Sequence, residues 1–337
     1  MPHRRRLQYV FATALLASAA SAVLAADDAS SNEALAWLAR MQTALRGGDY
    51  TGEFSFYRDG ELNSLSITHG RVEGQLRERL VHLNGPRRVI VRDGDEVSCL
   101  LEAGDPMLEH LERLPTGPFA RRFIPGDGAA GSMLPAGYEA RLSGTGRIAG
   151  QGVRRIDVLP SDDTRYGYRL YLQDPTALPL RAELIDQSGR ALEIFQFVRI
   201  DLRPDLARLL DAPMAPGLIR HDLKLEAMVE AGDAPVNWSV EWLPTGFEMA
   251  AASLAAAPVR DTPVQALSFS DGIASLSVFV ERAWADVSWA HQRRRGATSA
   301  VMGELEGENG ARFVVTVVGE VPMATAARVA AAVRPMR

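Results

Sequence analysis

The residue types able to do chemistry are present in this chain, but their spacing does not assemble them. His69, His82, His110, His221 and His291 are scattered. No His-x-x-x-His or Cys-x-x-Cys interval sets two metal ligands side by side. No Gly-x-Ser-x-Gly elbow raises a serine nucleophile, and no P-loop cradles a phosphate. Gly144-Thr-Gly-Arg-Ile-Ala-Gly150 comes nearest to a dinucleotide loop. Its last interval is one residue too long, and Gly150-Gln-Gly152 reads as a hairpin turn between strands. The acid pairs Asp27-Asp28 and Asp162-Asp163 fall at a terminus and a turn, where solvation accounts for them. The expectation is a protein with no catalytic centre, no metal and no cofactor.

What remains are surfaces. Arg293-Arg294-Arg295 is either a solvated loop or a contact for an acidic peptide or an anionic lipid headgroup. Trp242 and Phe247 flank Pro244 and Gly246. They either anchor a partner or staple their own loop to a sheet. Phe54, Phe56, Tyr168, Leu170, Phe195 and Phe197 alternate with polar residues. Such alternation fits a filled core as well as an apolar pocket, where each acyl methylene buried would contribute about 0.8 kcal/mol.

These residues sit on strand-like segments. After a helix marked by Ser30-Ser-Asn-Glu33 as a capping box and by Leu35, Leu38, Met41 and Leu45, the period becomes two. Strand patterns follow, punctuated by Asp59-Gly60 and Asp93-Gly94. Asp105-Pro106 opens a second helix. Further strands run from Tyr138 to Ile200. Many antiparallel strands and few helices imply a strongly curved sheet wrapped over helices. The stretch 201–217 carries three prolines and no alternation, which reads as a linker with at most one helical turn. It divides a first domain, 27–200, from a second, 218–337. The second domain has strands at Trp238–Trp242, Val264–Phe269, Ile273–Glu281, Ser299–Leu305 and Arg312–Gly319, then a helix from Pro322 that Pro335 ends. The fold class expected is α+β.

At the other end, Arg4-Arg5-Arg6 precedes an apolar run from Val10 to Leu24 and small residues at Ala20, Ala22, Ala25 and Ala26. This is the pattern of a signal peptide over 1–25, cut near Ala25 or at Ala22. Removing it takes away three arginines and no acid, moving the formal charge from −5 to −8. An acidic chain argues against nucleic acid as a partner. Every cationic side chain but Lys224 is arginine, and Cys99 is the single cysteine. No intramolecular disulfide can form.

Three phrases in the last third carry a family resemblance. Glu241-Trp-Leu-Pro-Thr-Gly-Phe247 is followed by Phe269-Ser-Asp-Gly-Ile-Ala-Ser-Leu-Ser-Val-Phe-Val-Glu281. Val314-Val-Thr-Val-Val-Gly-Glu-Val-Pro322 then runs into an alanine-rich stretch. Together they resemble the C-terminal domain of the MucB/RseB family of periplasmic sigma-factor regulators. The segment Tyr166–Arg181 resembles the late hairpin of LolA/LolB-type lipoprotein carriers. The resemblance implies an unclosed half-barrel with a lipid-accepting cavity as the first domain. It also implies a periplasmic protein that binds the periplasmic domain of a transmembrane anti-sigma factor of the RseA/MucA type. That binding shields the partner from site-1 proteolysis, and lipid or lipopolysaccharide fragments release it. A periplasmic lipid or lipoprotein carrier is the alternative, against which the second domain counts. Self-association is left open.

Overall fold

The structure is a computed structural model that describes residues 29–108, 134–213, 216–223, 237–257, 260–283, 290–307 and 310–336. The segment expected to be a signal peptide, most of the helix expected after Pro106, His110 and Lys224 lie outside the described residues. Among those described, no helix is long and apolar enough to cross a membrane.

Helix α1 (residues 29–47) leads into five antiparallel strands: β1 (Tyr50–Arg58), β2 (Glu61–Val72), β3 (Gln75–His82), β4 (Arg88–Asp93) and β5 (Glu96–Leu101). Five more follow: β6 (Tyr138–Ile148), β7 (Gln151–Pro160), β8 (Gly167–Gln173), β9 (Pro179–Ile185) and β10 (Ala191–Asp201). With β11 (Ile219–Leu223) they form one sheet in the order β11-β5-β4-β3-β2-β1-β10-β9-β8-β7-β6. The two ends do not pair with each other, so the sheet is open, as expected. Alternation fixes its register, because a slip of one residue would turn every buried side chain outward. Phe54 pairs with Phe197 and Leu65, and the inward residues form one core with Trp37, Met41 and Leu45 of α1.

Helix α1 includes residue 29, so Ser30 lies inside it, not at its cap. The Ser30 hydroxyl donates to the Leu142 carbonyl instead. After Asp105 the described chain makes only a single 3₁₀ turn at 106–108. The segment 201–213 is not a free tether. Its short helix α2 (Leu206–Leu210) buries Leu206 and Leu210, and the Arg79 guanidinium donates to the Leu210 and Ala212 carbonyls. Gly70 permits the approach, since a Cβ there would stand 2.3 Å from Leu206 Cδ1. Beyond it, β11 pairs with β5 at the edge of the first sheet.

The second sheet holds β13 (Glu248–Ala257), β14 (Arg260–Ser270), β15 (Ser275–Arg282), β18 (Arg312–Gly319), β17 (Thr298–Glu306) and β16 (His291–Arg295), in that order. Helix α3 (Met323–Ala331) covers it with Ala326 and Val329. This helix stops before Val333, earlier than Pro335 would require. Val333–Pro335 become β19, which pairs with β12 (Trp238–Val240).

Candidate functional site: the seam between the two sheets

Arg165, a fully buried charged side chain, lies between β7 and β8 and joins the two sheets. Its Nη1 donates to Asp271 Oδ2 at 2.8 Å, and its Nη2 donates to the Thr245 carbonyl at 2.6 Å. On its own side it meets Asp162, with Nη2 to Oδ2 at 3.2 Å. The guanidinium also stands 5.3 Å from the centre of the Tyr138 ring and 5.6 Å from that of Phe247. A buried cation is tolerated only when paired and fully hydrogen-bonded. Here the carboxylates come from both sheets. Asp271 is held in turn by the backbone N–H groups of Ile273 and Ala274, at 2.9 and 2.8 Å. Burial works to raise the Asp162 carboxyl, but the Thr164 hydroxyl and amide, with Arg165, outweigh it and hold it low. Close by, the Thr325 hydroxyl at the start of α3 donates to the Thr164 carbonyl at 2.9 Å.

A second clamp lies at the tip of the β16–β17 hairpin. The Arg295 guanidinium donates to Glu61 Oε2 at 2.8 Å, the Gly296 amide to Asp59 Oδ2 at 2.7 Å and the Ala297 amide to Glu193 Oε1 at 2.9 Å. Ala297 is fully buried in the core of the first sheet. Gly296 has φ +58, and a Cβ there would stand 2.3 Å from Glu193 Oε1. The turn therefore requires glycine.

Against this frame the residues singled out in the sequence separate into three groups. Phe54, Tyr168, Leu170, Phe195 and Phe197 are buried in one cluster, with Phe56 packed against it. Phe54 contacts Phe195 and Phe197 at centroid distances of 4.9 and 5.7 Å. Helix α1 covers them through Trp37 and Met41. Phe247 is 7% exposed in the second core, stapling its loop, so in this arrangement it is not displayed as an anchor. Trp242 is half-buried beneath the Arg328 guanidinium, 3.8 Å from its ring centre. The three arginines form an edge strand, not a loop, and all of β16 is exposed. Arg295 belongs to the seam, and Arg294 lies beside the Tyr166 hydroxyl, whose pKa burial pushes up. Arg293 has no ion-pair partner among the described residues.

Sequence reasoning missed Arg165, Asp271, Glu193 and Gly296 as a set. Arg165 and Asp271 stand 106 residues apart, and the only local signal was the Asp-Gly turn. Among the described residues, no group of three His, Cys, Asp or Glu side chains is placed to hold a metal ion.

Fold and seam together define a two-domain protein whose built polar machinery holds its own halves together. Residues 33–216 match the MucB/RseB N-terminal domain and residues 232–334 the MucB/RseB C-terminal domain. The chain belongs to the MucB/RseB family. It is 34% identical over 304 residues to the sigma factor AlgU regulatory protein MucB of Pseudomonas aeruginosa, covering 89% of this chain and 90% of that one. Among solved structures it resembles the Pseudomonas aeruginosa MucA/MucB complex with a TM-score of 0.72 at 32% identity, over 90% of this chain and 99% of that chain. A crystal structure of MucB alone gives 0.57 at 31% identity, over 91% and 99%.

Proposed function

We propose that this chain is a non-enzymatic, periplasmic negative regulator of an envelope-stress sigma factor. It acts by binding the periplasmic domain of a membrane anti-sigma factor and shielding it from site-1 proteolysis. Lipid or lipopolysaccharide fragments entering the concave face of the first sheet release the partner. The observation that carries the reading is the pair of TM-scores, 0.72 to a partner-bound relative and 0.57 to one crystallised alone. Coverage and identity are nearly equal in the two, and this chain as a whole superposes better on the partner-bound relative. The partner surface we assign is the exposed β16 edge with Arg293, where an extended acidic segment can add to the sheet.

The experiment is titration calorimetry of the partner's periplasmic segment into the full chain, with and without an acylated glycolipid. Lipid should weaken peptide binding by about 5–150-fold, and peptide should weaken lipid binding by the same factor. Peptide binding that is absent would overturn the assignment. Equal peptide affinities with lipid bound would favour a carrier.

A further inference from the structure

We propose, on the lipid reading above, that His69 is the polar anchor of the concave face: its Nε2 takes the hydroxyl of a hydroxylated acyl chain. His69 lies on β2 and shares its face with Leu65 and Ile67, which belong to the core of the first sheet. The side chain is fully buried. Its Nδ1 lies 2.7 Å from Glu78 Oε1 on β3, and the other Glu78 oxygen takes the Arg92 Nε of β4 at 3.0 Å. A carboxylate held by a guanidinium accepts, so Nδ1 carries the proton of its bond to Glu78. The ring is fixed by that bond. Nε2 is left on the far side, buried and with no hydrogen-bond partner among the described residues.

The surroundings decide what can answer this nitrogen. The Tyr50 ring of β1 stacks on the imidazole, with centroids 4.8 Å apart and planes 20° apart, and meets Phe197 edge-on at 6.1 Å. Phe197 in turn packs on Phe54 and Phe195. His69 therefore stands where the polar row on β2, β3 and β4 borders the aromatic cluster. An acyl chain seated among these rings would pass beside the imidazole. A bare Nε2 needs a donor and a protonated one needs an acceptor, and a hydroxyl serves either form. A buried polar atom left unanswered is costly, so a chain that supplies the missing bond gains over one that does not. A sugar headgroup is the other source of hydroxyls. It would bring several of them against Leu65, Ile67, Phe54 and Phe197, which offer no hydrogen bond from their side chains, so the acyl hydroxyl is the better fit.

The test titrates tetradecanoic acid, a set of its forms each hydroxylated at one position along the chain, and tetradecyl glucoside into the full chain. All are kept below micelle-forming concentrations, and nitrogen-15 NMR follows the histidine rings. At least one hydroxylated acid should bind about 10-fold more tightly than the plain chain, the gain of one hydrogen bond at a buried site. It should also move the His69 Nε2 resonance more than Nδ1. His69→Phe keeps a flat ring and should bring the hydroxylated and plain acids to equal affinity. Circular dichroism checks its fold, and if the fold is lost the nitrogen shifts of the unaltered protein decide. Equal affinities with an unmoved Nε2, as for a nitrogen answered by water alone, overturn the anchor and leave the lipid reading standing. A shift produced by the glucoside and by none of the acids overturns it too. Failure of every chain to bind overturns the lipid reading and the anchor with it.

Discussion

Replacing Arg165 by alanine should open the seam without unfolding either sheet. The side chain is fully buried and pairs with Asp271, whose carboxylate is also fully buried. Deleting one partner of such a pair typically costs about 3–5 kcal/mol, because the other charge is left without compensation. Asp271 would keep its bonds from Ile273 and Ala274, which places the loss near the lower bound. At about 3 kcal/mol, the ratio of closed to open molecules should fall by roughly 150-fold. Guanidinium denaturation followed by tryptophan emission reads both halves, since Trp37 reports the first core and Trp238 and Trp242 the second. X-ray scattering reads their separation. Replacing Arg165 by methionine together with Asp271 by leucine removes both charges and should restore most of the loss. An Arg165→Ala protein with unchanged midpoint and unchanged radius of gyration would refute the reasoning. So would a double variant no better than Arg165→Ala.

Gly296→Ala forces a side chain against Glu193 and an unfavourable φ, so it should detach the hairpin tip from the first sheet; protease susceptibility near residues 293–298 would report it. Phe197→Ala should cost about 3–5 kcal/mol in thermal or chemical unfolding, since its ring packs edge-on against Phe195 at 5.2 Å. Phe54→Asp or Phe197→Asp tests the proposed lipid pocket: a variant folded by circular dichroism with unchanged lipid displacement would remove that residue from the proposal. The Asp105 carboxyl is held below its ordinary 3.8 chiefly by the Arg88 hydrogen bond, against burial. Its contribution is present above that value and lost as pH falls through the lowered one. Arg88→Gln should therefore flatten the acid limb of the unfolding curve.

Most strands were legible because one face of each sheet is buried. Period-two alternation is the direct imprint of that condition, and Asp59-Gly60 and Asp271-Gly272 mark turns where the backbone needs them. Strands without that imprint stayed hidden. Strand β13 begins Glu248-Met-Ala-Ala-Ala, and alanine has little preference for a pleated surface. Strand β16 is five polar residues, all exposed, so no alternation exists to read. Charged edges of this kind also guard against unwanted pairing. The end of α3 was misplaced because Val333 continues the apolar helical pattern, while its backbone is claimed by Val240 on β12. The candidate seam was illegible for a different reason. Arg165, Glu193 and Gly296 acquire meaning only through partners more than a hundred residues away, and no local pattern encodes such a distance.

The seam and the concave core are built on the same strands. On β10, Glu193 is two residues from Phe195; on β1, Arg58 is two residues from Phe56; and Arg165 precedes Tyr166 and Tyr168. Tyr138 belongs to the core and also faces the Arg165 guanidinium. An acyl chain entering this core would have to displace aromatic rings that pack at near-contact distances, because interiors are too dense to absorb the added volume. The strand ends that carry Arg58 and Glu193 would then shift against the Gly296 turn, whose positive φ disfavours any side chain. The docked α2 removes the slack that a free tether over 201–213 would have provided. Coupling between the proposed lipid and the proposed partner therefore does not depend on a loose linker. It calls for two arrangements of a packed joint, and the contacts of Arg165 and Glu193 are those such a change would have to break.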